Sequence, residues 1–295
     1  MTSEPVDTPS DAALLDDYRA GSEAALAAVL RRHAPSVHRF GLKMCRDPDD
    51  AKDVLQDTLL AAARGARDFR GGSSLSTWLY TIARSFCIKK RRRSEPPHAS
   101  LDDDDAVQLA SPLSAPDEAA ADREIGASLQ AAIAALQPQY REVLLLRDVE
   151  GLSAKEVAEV VGIGVDAVKS RLHRARMMVR ARMAPLLTPN LEPRAATCPD
   201  ITAILSRYLE GEIGPQQCKE MDRHIAGCAR CRAECDSLRR VLALCTREAR
   251  GGALPPEVQR VVEKAFRELA AQPTIVAAPG QSAEGTSLEI GKTRL

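Results

Sequence analysis

At 295 residues the chain is long enough for about two domains, which excludes a single small module. Its 41 Lys and Arg balance 41 Asp and Glu, which argues against a uniformly basic nucleic-acid binder but hides any segregation of charge along the chain. Hydrophobic residues make up 44% and aromatics only 3%, so the apolar material is mostly Ala, Leu and Val; this excludes an aromatic-rich β-sandwich and predicts an all-α protein.

Residues 1–11 read as a disordered N-terminus with neither the basic start nor the apolar run of a secretory signal. No stretch approaches the roughly 18 consecutive apolar residues of a membrane span, so the expectation is a cytoplasmic protein with no membrane partner. A first helical block occupies 12–94. Within it Asp49, Asp50, Asp53 and Asp57 fall near one side of a helix whose other side carries Ala51, Val54, Leu55, Thr58 and Leu59. Such a stripe is either an ordinary exposed face or a docking surface for a basic partner. Downstream, Gly71, Gly72, Ser73 and Ser74 form a loop before a helix that includes Trp78 and packs through Leu79, Ile82 and Ala83. The end of that helix is cationic, with Arg84, Lys89, Lys90, Arg91, Arg92 and Arg93, and a basic end beside a flexible loop suits a nucleic-acid backbone and an extruded base.

Residues 95–122 are rich in Pro, Ser and Asp, include the run Asp102 to Asp105, and read as a solvated acidic linker. The second helical block, 123–187, carries the clearest local signal. Ser153 and Glu156 have the spacing of a capping box, Val157, Ala158 and Val161 point inward, and Gly162 and Gly164 permit a tight turn into a second helix. On that helix Val168, Leu172, Ala175 and Val179 share one face. Lys169, Ser170, His173, Arg174 and Arg180 lie on the other, with Arg171 and Arg176 on the flanks. A helix-turn-helix with one dry and one basic face suits the major groove; the plainer alternative is a solvated helix in a bundle.

The cysteines are unevenly spread. Cys45 and Cys87 stand apart, whereas Cys198, Cys218, Cys228, Cys231, Cys235 and Cys245 crowd a segment spanning 195–245, pointing to metal or redox chemistry rather than structural disulfides. His224, Cys228 and Cys231, with Cys198 upstream, make a closed tetrahedral set for a structural or regulatory zinc ion. Cys218, Cys235 and Cys245 are surplus, either buried core thiols or donors to another thiophilic metal. In the tail, 246–295, an amphipathic helix is predicted over 256–271, with Val258, Val261, Val262, Ala265, Phe266 and Leu269 on one stripe. No carboxylate cluster, phosphate loop or nucleophile arrangement points to an enzyme.

Four segments in order, YRAGSEAAL, DDAKDVLQDTLLAA, FRGGSSLSTWLYTIAR and YREVLLLRDVEGLSAKEVAEVVGIGVDAVKSRLHRAR, resemble the regions of bacterial sigma-70-type RNA polymerase sigma factors of the extracytoplasmic-function (ECF) class. The resemblance covers roughly 12–182. It implies a sigma-2 domain whose Asp53, Gln56 and Asp57 meet the β′ clamp helices of core RNA polymerase. It implies that the loop from Gly71 to Ser74 and the helix after it, with Trp78, Arg84, Lys89 and Lys90, hold the opened −10 element. The second block is then sigma-4, reading the −35 element with Lys169, Ser170, Arg171, His173, Arg174 and Arg176 while its other surface meets the β flap. Ser85 and the Lys89-Lys90 pair depart from the Asn and Asp-Phe/Leu more usual in the family. The segment CPDITAILSRYLEGEIGPQQCKEMDRHIAGCARCRAE resembles the zinc-finger domain of zinc-binding anti-sigma factors, which implies that the C-terminal region docks on the sigma domains as a regulator in cis. The alternative function is a helix-turn-helix transcription regulator, or an interaction protein, that does not engage the polymerase.

Overall fold

Short polar caps divide the first block into four helices. Ser10 and Ser22 accept from the amides of Ala13 and Ala25 to start α1 (Asp11–Arg19) and α2 (Glu23–Cys45). Arg46 then turns left-handed at φ 63° to end α2, and Asp47 accepts from the amides of Asp49 and Asp50 to start α3 (Pro48–Gly65). The last of the four is α4 (Leu75–Ser94). This computed structural model describes residues 9–94, 118–188, 191, 195–249 and 253–271. The run Asp102 to Asp105, most of the expected linker and the chain beyond 271 lie outside the described residues.

The second block contains α5 (Glu118–Ala134), which begins inside the stretch read as linker, and α6 (Pro138–Leu144), which continues through a wider π turn at Leu145–Val149. The expected helix-turn-helix follows as α7 (Ala154–Val161) and α8 (Val165–Leu187). The Ser153–Glu156 capping box is complete in both directions, and Gly162 makes the turn at φ 76°, a conformation that side chains with a Cβ rarely adopt. Beyond it lie α9 (Ile201–Leu209), α10 (Pro215–Gly227), α11 (Ala229–Ala249) and α12 (Pro256–Ala271). Among the described residues every regular element is helical, as composition predicted, and no helix is long and apolar enough to cross a membrane.

Sequence divides the two blocks by a linker, yet they pack together. One apolar core runs from Val29, Phe40, Leu55 and Leu79 of the first block into Leu129, Leu144, Leu146 and Leu172 of the second. It continues into Val241 and Cys245 of α11 and Val258, Val262 and Ala265 of α12. A smaller core gathers Ile201, Leu205, Met221, Cys231, Cys235 and Leu238. The first half of α11 therefore belongs to the small core and the second half to the large one.

Arg141 lies buried at the corner between α5 and α6. Its guanidinium donates to the carbonyls of Ile133, Ala134 and Leu136, and it reaches that of Met44 at 3.5 Å, so it tethers the C-terminal end of α5 to α2. Burial, then the charges of Arg46 and Arg91, push its pKa down to about 10, still charged at neutral pH. Arg141→Ala is expected to cost about 2–3 kcal/mol in urea unfolding, because the buried Leu136 carbonyl loses its donor while those of Ile133 and Ala134 keep only the Leu136 amide and Arg46; an unchanged midpoint would remove this role.

Candidate functional site

The acidic face of α3 forms as its spacing predicts, with Asp53 and Asp57 exposed and Gln56 half-buried. Two partners already occupy it. Lys90 donates to Asp53 at 2.6 Å and pairs with Asp50 at 2.9 Å, and these bonds raise its pKa. Lys90, read as a DNA contact, pairs with α3 in this arrangement, because α4 crosses α3 with its cationic end over the aspartates. The second partner is α12. Its Val258, Val262 and Ala265 are buried, and Glu268 accepts from the Gln56 amide at 3.3 Å. Arg31 of α2 holds Glu263 at 3.2 Å and lies 4.5 Å from the centre of the Phe266 ring. The helix predicted over 256–271 therefore covers one flank of the expected polymerase-docking surface.

Across the other side of the first block, three glutamates of the second block meet α2, α4 and the loop before it, two of them at expected −10 residues, Ser74 and Arg84. Ser74 donates to Glu156 at 3.0 Å and Thr77 at 3.2 Å. Tyr80 donates to Glu150 at 2.8 Å, and Arg39 grips the same carboxylate through two nitrogens at 2.6 and 2.7 Å. Arg84 donates to Glu142 at 2.8 Å, and Arg171 stands 3.8 Å from it. Glu156 is held below the usual carboxylate pKa, first by the Ser153 amide of its capping box and further by the Ser153, Ser74 and Thr77 hydroxyls. Gly71 and Gly72 remain exposed and Ser73 half-exposed, with Gly71 at φ 73°. Trp78 is half-buried, its ring 4.9 Å from that of Phe69 and packed on Gly65, which a Cβ would crowd at 3.0 Å. Lys89 is exposed, 5.1 Å from the Phe86 ring.

On α8 the apolar face is as read: Val168, Leu172, Ala175 and Val179 are fully buried. Ser170 and Arg174 are exposed, and Arg174 reaches the Tyr140 hydroxyl at 3.4 Å, an interaction that lowers the Tyr140 pKa. His173 is half-buried. Arg176 is the clear departure. It is 2% exposed and held by Asp148 at 2.7 and 2.9 Å and by Glu210 at 2.8 Å, so it is unavailable to a DNA surface in this arrangement. Burial works against its charge, but the two carboxylates outweigh it and leave the pKa above the ordinary value. Glu210 belongs to the YLEGE turn after α9, which also receives Arg147 at 3.2 Å and, through Glu212, Lys169 at 3.3 Å. The helical period put Arg176 on a flank, and nothing local announced that a turn 34 residues later would cover that flank.

Cys198, His224, Cys228 and Cys231 converge as their spacing predicts. Their donor atoms all lie within 4.8 Å of one another, with 3.9 Å between the sulfurs of Cys198 and Cys228 and 3.2 Å from His224 Nε2 to Cys231 Sγ. Donors bound at about 2.0–2.3 Å in a tetrahedron sit roughly 3.5–3.8 Å apart, so three thiolates and an imidazole here suit a closed four-coordinate metal. The surplus cysteines do not join them. Cys235 lies in the small core, its thiol pushed up to about 11 by burial, Cys245 lies in the large core, and Cys218 is half-buried on α10. Among the described residues they do not gather into a second group of metal donors.

Three family models match this chain: "Sigma-70 region 2" over residues 29–95, "Sigma-70, region 4" over 126–179 and "Putative zinc-finger" over 198–232. The ECF RNA polymerase sigma factor SigM of Mycobacterium tuberculosis is 35% identical over 178 residues, covering 60% of this chain and 85% of that protein. The ECF RNA polymerase sigma factor SigE of Mycolicibacterium smegmatis is 32% identical over 186 residues, covering 61% and 70%. The chain belongs to the ECF RNA polymerase sigma factors. Among solved structures, CnrH in complex with the cytosolic domain of CnrY is similar at 25% identity and a TM-score of 0.45, covering 62% of this sigma factor and 99% of that chain. In this sigma factor the region 2 match spans most of α2 and all of α3 and α4, while the region 4 match takes in α6, α7 and most of α8. The zinc-finger match contains all four converging donors, and α12 lies beyond every matched segment.

Proposed function

We propose that this ECF sigma factor, which directs core RNA polymerase to promoters, carries its own inhibitor in its C-terminal third. Asp53, Gln56 and Asp57 meet the β′ clamp helices. The loop from Gly71 to Ser74, with Trp78, Arg84 and Lys89, holds the opened −10 strand, and Lys169, Ser170, Arg171, His173 and Arg174 read or track the −35 duplex. The β flap is the partner of the remaining sigma-4 surface. Polymerase supplies the bond chemistry; the sigma factor supplies binding energy.

The observation that carries the inhibitory reading is the position of α12 on α3, where Glu268 takes the Gln56 amide. A further contact supports it: the YLEGE turn takes Lys169 through Glu212. Zinc in the Cys198, His224, Cys228 and Cys231 site would tie α9, α10 and the start of α11 together and so hold the YLEGE turn against α8. Withdrawing the metal with a strong chelator, or oxidising its thiolates, is then expected to raise run-off transcription with core polymerase toward that of a chain ending at Thr188. Equal activity for the full and shortened chains, with and without metal, overturns the inhibitory reading.

The exposed Arg174 gives a separate test of DNA reading. Arg174→Ala is expected to weaken binding to a cognate −35 duplex by about 1–3 kcal/mol if its guanidinium reads a base, with little change on a scrambled duplex. An equal loss on both duplexes assigns it to a phosphate, and no loss on either removes it from the interface.

A further inference from the structure

Two cysteines outside the metal cluster meet inside the first block. Cys45 closes α2, Cys87 lies on α4, and their sulfurs are 3.4 Å apart. A disulfide needs about 2.05 Å between sulfurs, a closure of little more than 1 Å. The two thiols differ in access, since Cys87 is buried and Cys45 is half-exposed beside the α2–α3 corner. They differ in chemistry too. The contact with Cys87 lowers the Cys45 pKa, with further help from Lys90, against burial and the charges of Asp50 and Asp47. Cys87 is shifted the other way, by Cys45 and by burial. The less buried sulfur with the lowered pKa, backed by a buried thiol 3.4 Å away, makes an attacking and resolving pair.

We propose that Cys45 and Cys87 form a dithiol oxidised by hydroperoxides to an intramolecular disulfide that staples α2 to α4, independently of the metal cluster and of the inhibitory reading. The Cys45 thiolate attacks one oxygen of hydrogen peroxide; the S–O bond forms, the O–O bond breaks, and the departing hydroxide takes up a proton to become water. The Cys87 sulfur then attacks the Cys45 sulfenic acid. The S–S bond forms and the S–O bond breaks, with the Cys87 proton leaving in a second water. Two thiols give up two electrons and one peroxide becomes two waters. The staple ties the corner that starts α3 to the helix bearing Trp78 and Arg84, one turn before Lys90 reaches Asp50 and Asp53.

The test is non-reducing tryptic mapping of the full-length protein after one equivalent of hydrogen peroxide and quenching by alkylation. The expected product joins Met44–Arg46 to Ser85–Lys89. In Cys87→Ser the Cys45 sulfenic acid should persist and be trapped by dimedone. In Cys45→Ser, a change at the half-exposed position that serves if the buried substitution fails to fold, Cys87 should remain fully alkylatable. Cys45 and Cys87 both staying alkylatable, Cys45 reaching the sulfinic acid beside a free Cys87, or Cys45 joined to a cluster cysteine would each overturn the proposal.

Discussion

Arg176→Ala is expected to destabilise the protein by about 3–5 kcal/mol, the loss that follows when one member of a buried ion cluster is removed and the other charges stay behind. The side chains of Asp148 and Glu210 are only 6% and 5% exposed, and each takes at least one guanidinium nitrogen of Arg176 within 2.9 Å. Truncation leaves Asp148 unpaired on the π turn after α6, while Glu210 keeps Arg147 at 3.2 Å. The YLEGE turn then loses the stronger of its two grips on α8. Arg176→Lys should recover only part of the loss, because an ammonium cannot serve two carboxylates through a planar fork. Urea unfolding followed by circular dichroism measures this. A loss below about 1 kcal/mol would mean that water already reaches the cluster.

Val262→Asp is expected to raise affinity for core RNA polymerase by about tenfold or more. Val262 sits at 4% exposure in the seam where α12 meets the first block, and a carboxylate there either pays its desolvation or forces α12 away. Undocking is the cheaper outcome, because Arg31, Glu263, Gln56 and Glu268 lie at the seam's edge and water can replace their bonds. Each 1.4 kcal/mol of docking energy removed is worth about tenfold in apparent affinity for a partner that needs the same surface. Anisotropy titration of labelled protein with core polymerase gives Kd, and limited proteolysis reports whether α12 has come free. A freed α12 with an unchanged Kd would show that the helix and the polymerase use different faces.

What the sequence made legible follows the range of each interaction. The helix-turn-helix was readable because its caps, its Gly162 turn and its apolar stripe at Val168, Leu172, Ala175 and Val179 are all set within a few residues. The metal cluster was readable because His224, Cys228 and Cys231 lie one turn apart, leaving only Cys198 to be brought in from a distance. The burial of Arg176 was not legible, because it depends on Asp148 and Glu210, one on each side of it in sequence and neither at helical spacing. The pairing of Lys90 was not legible for a related reason: a cationic helix end looks the same whether it faces phosphate or the aspartates of a neighbouring helix. The amphipathic period predicted α12 itself, but a stripe of Val and Phe does not name the surface that covers it, and only the fold set it on α2 and α3.

α11 links events that would otherwise be separate. Cys231 near its start belongs to the candidate metal cluster, and Cys245 near its end is packed in the large core, about 21 Å further along one uninterrupted rod. A rod anchored at both ends makes the two cores mechanically continuous. A tilt at the Cys231 end has to be taken up by the packing around Val241 and Cys245, in the same core that holds Val258, Val262 and Ala265 of α12.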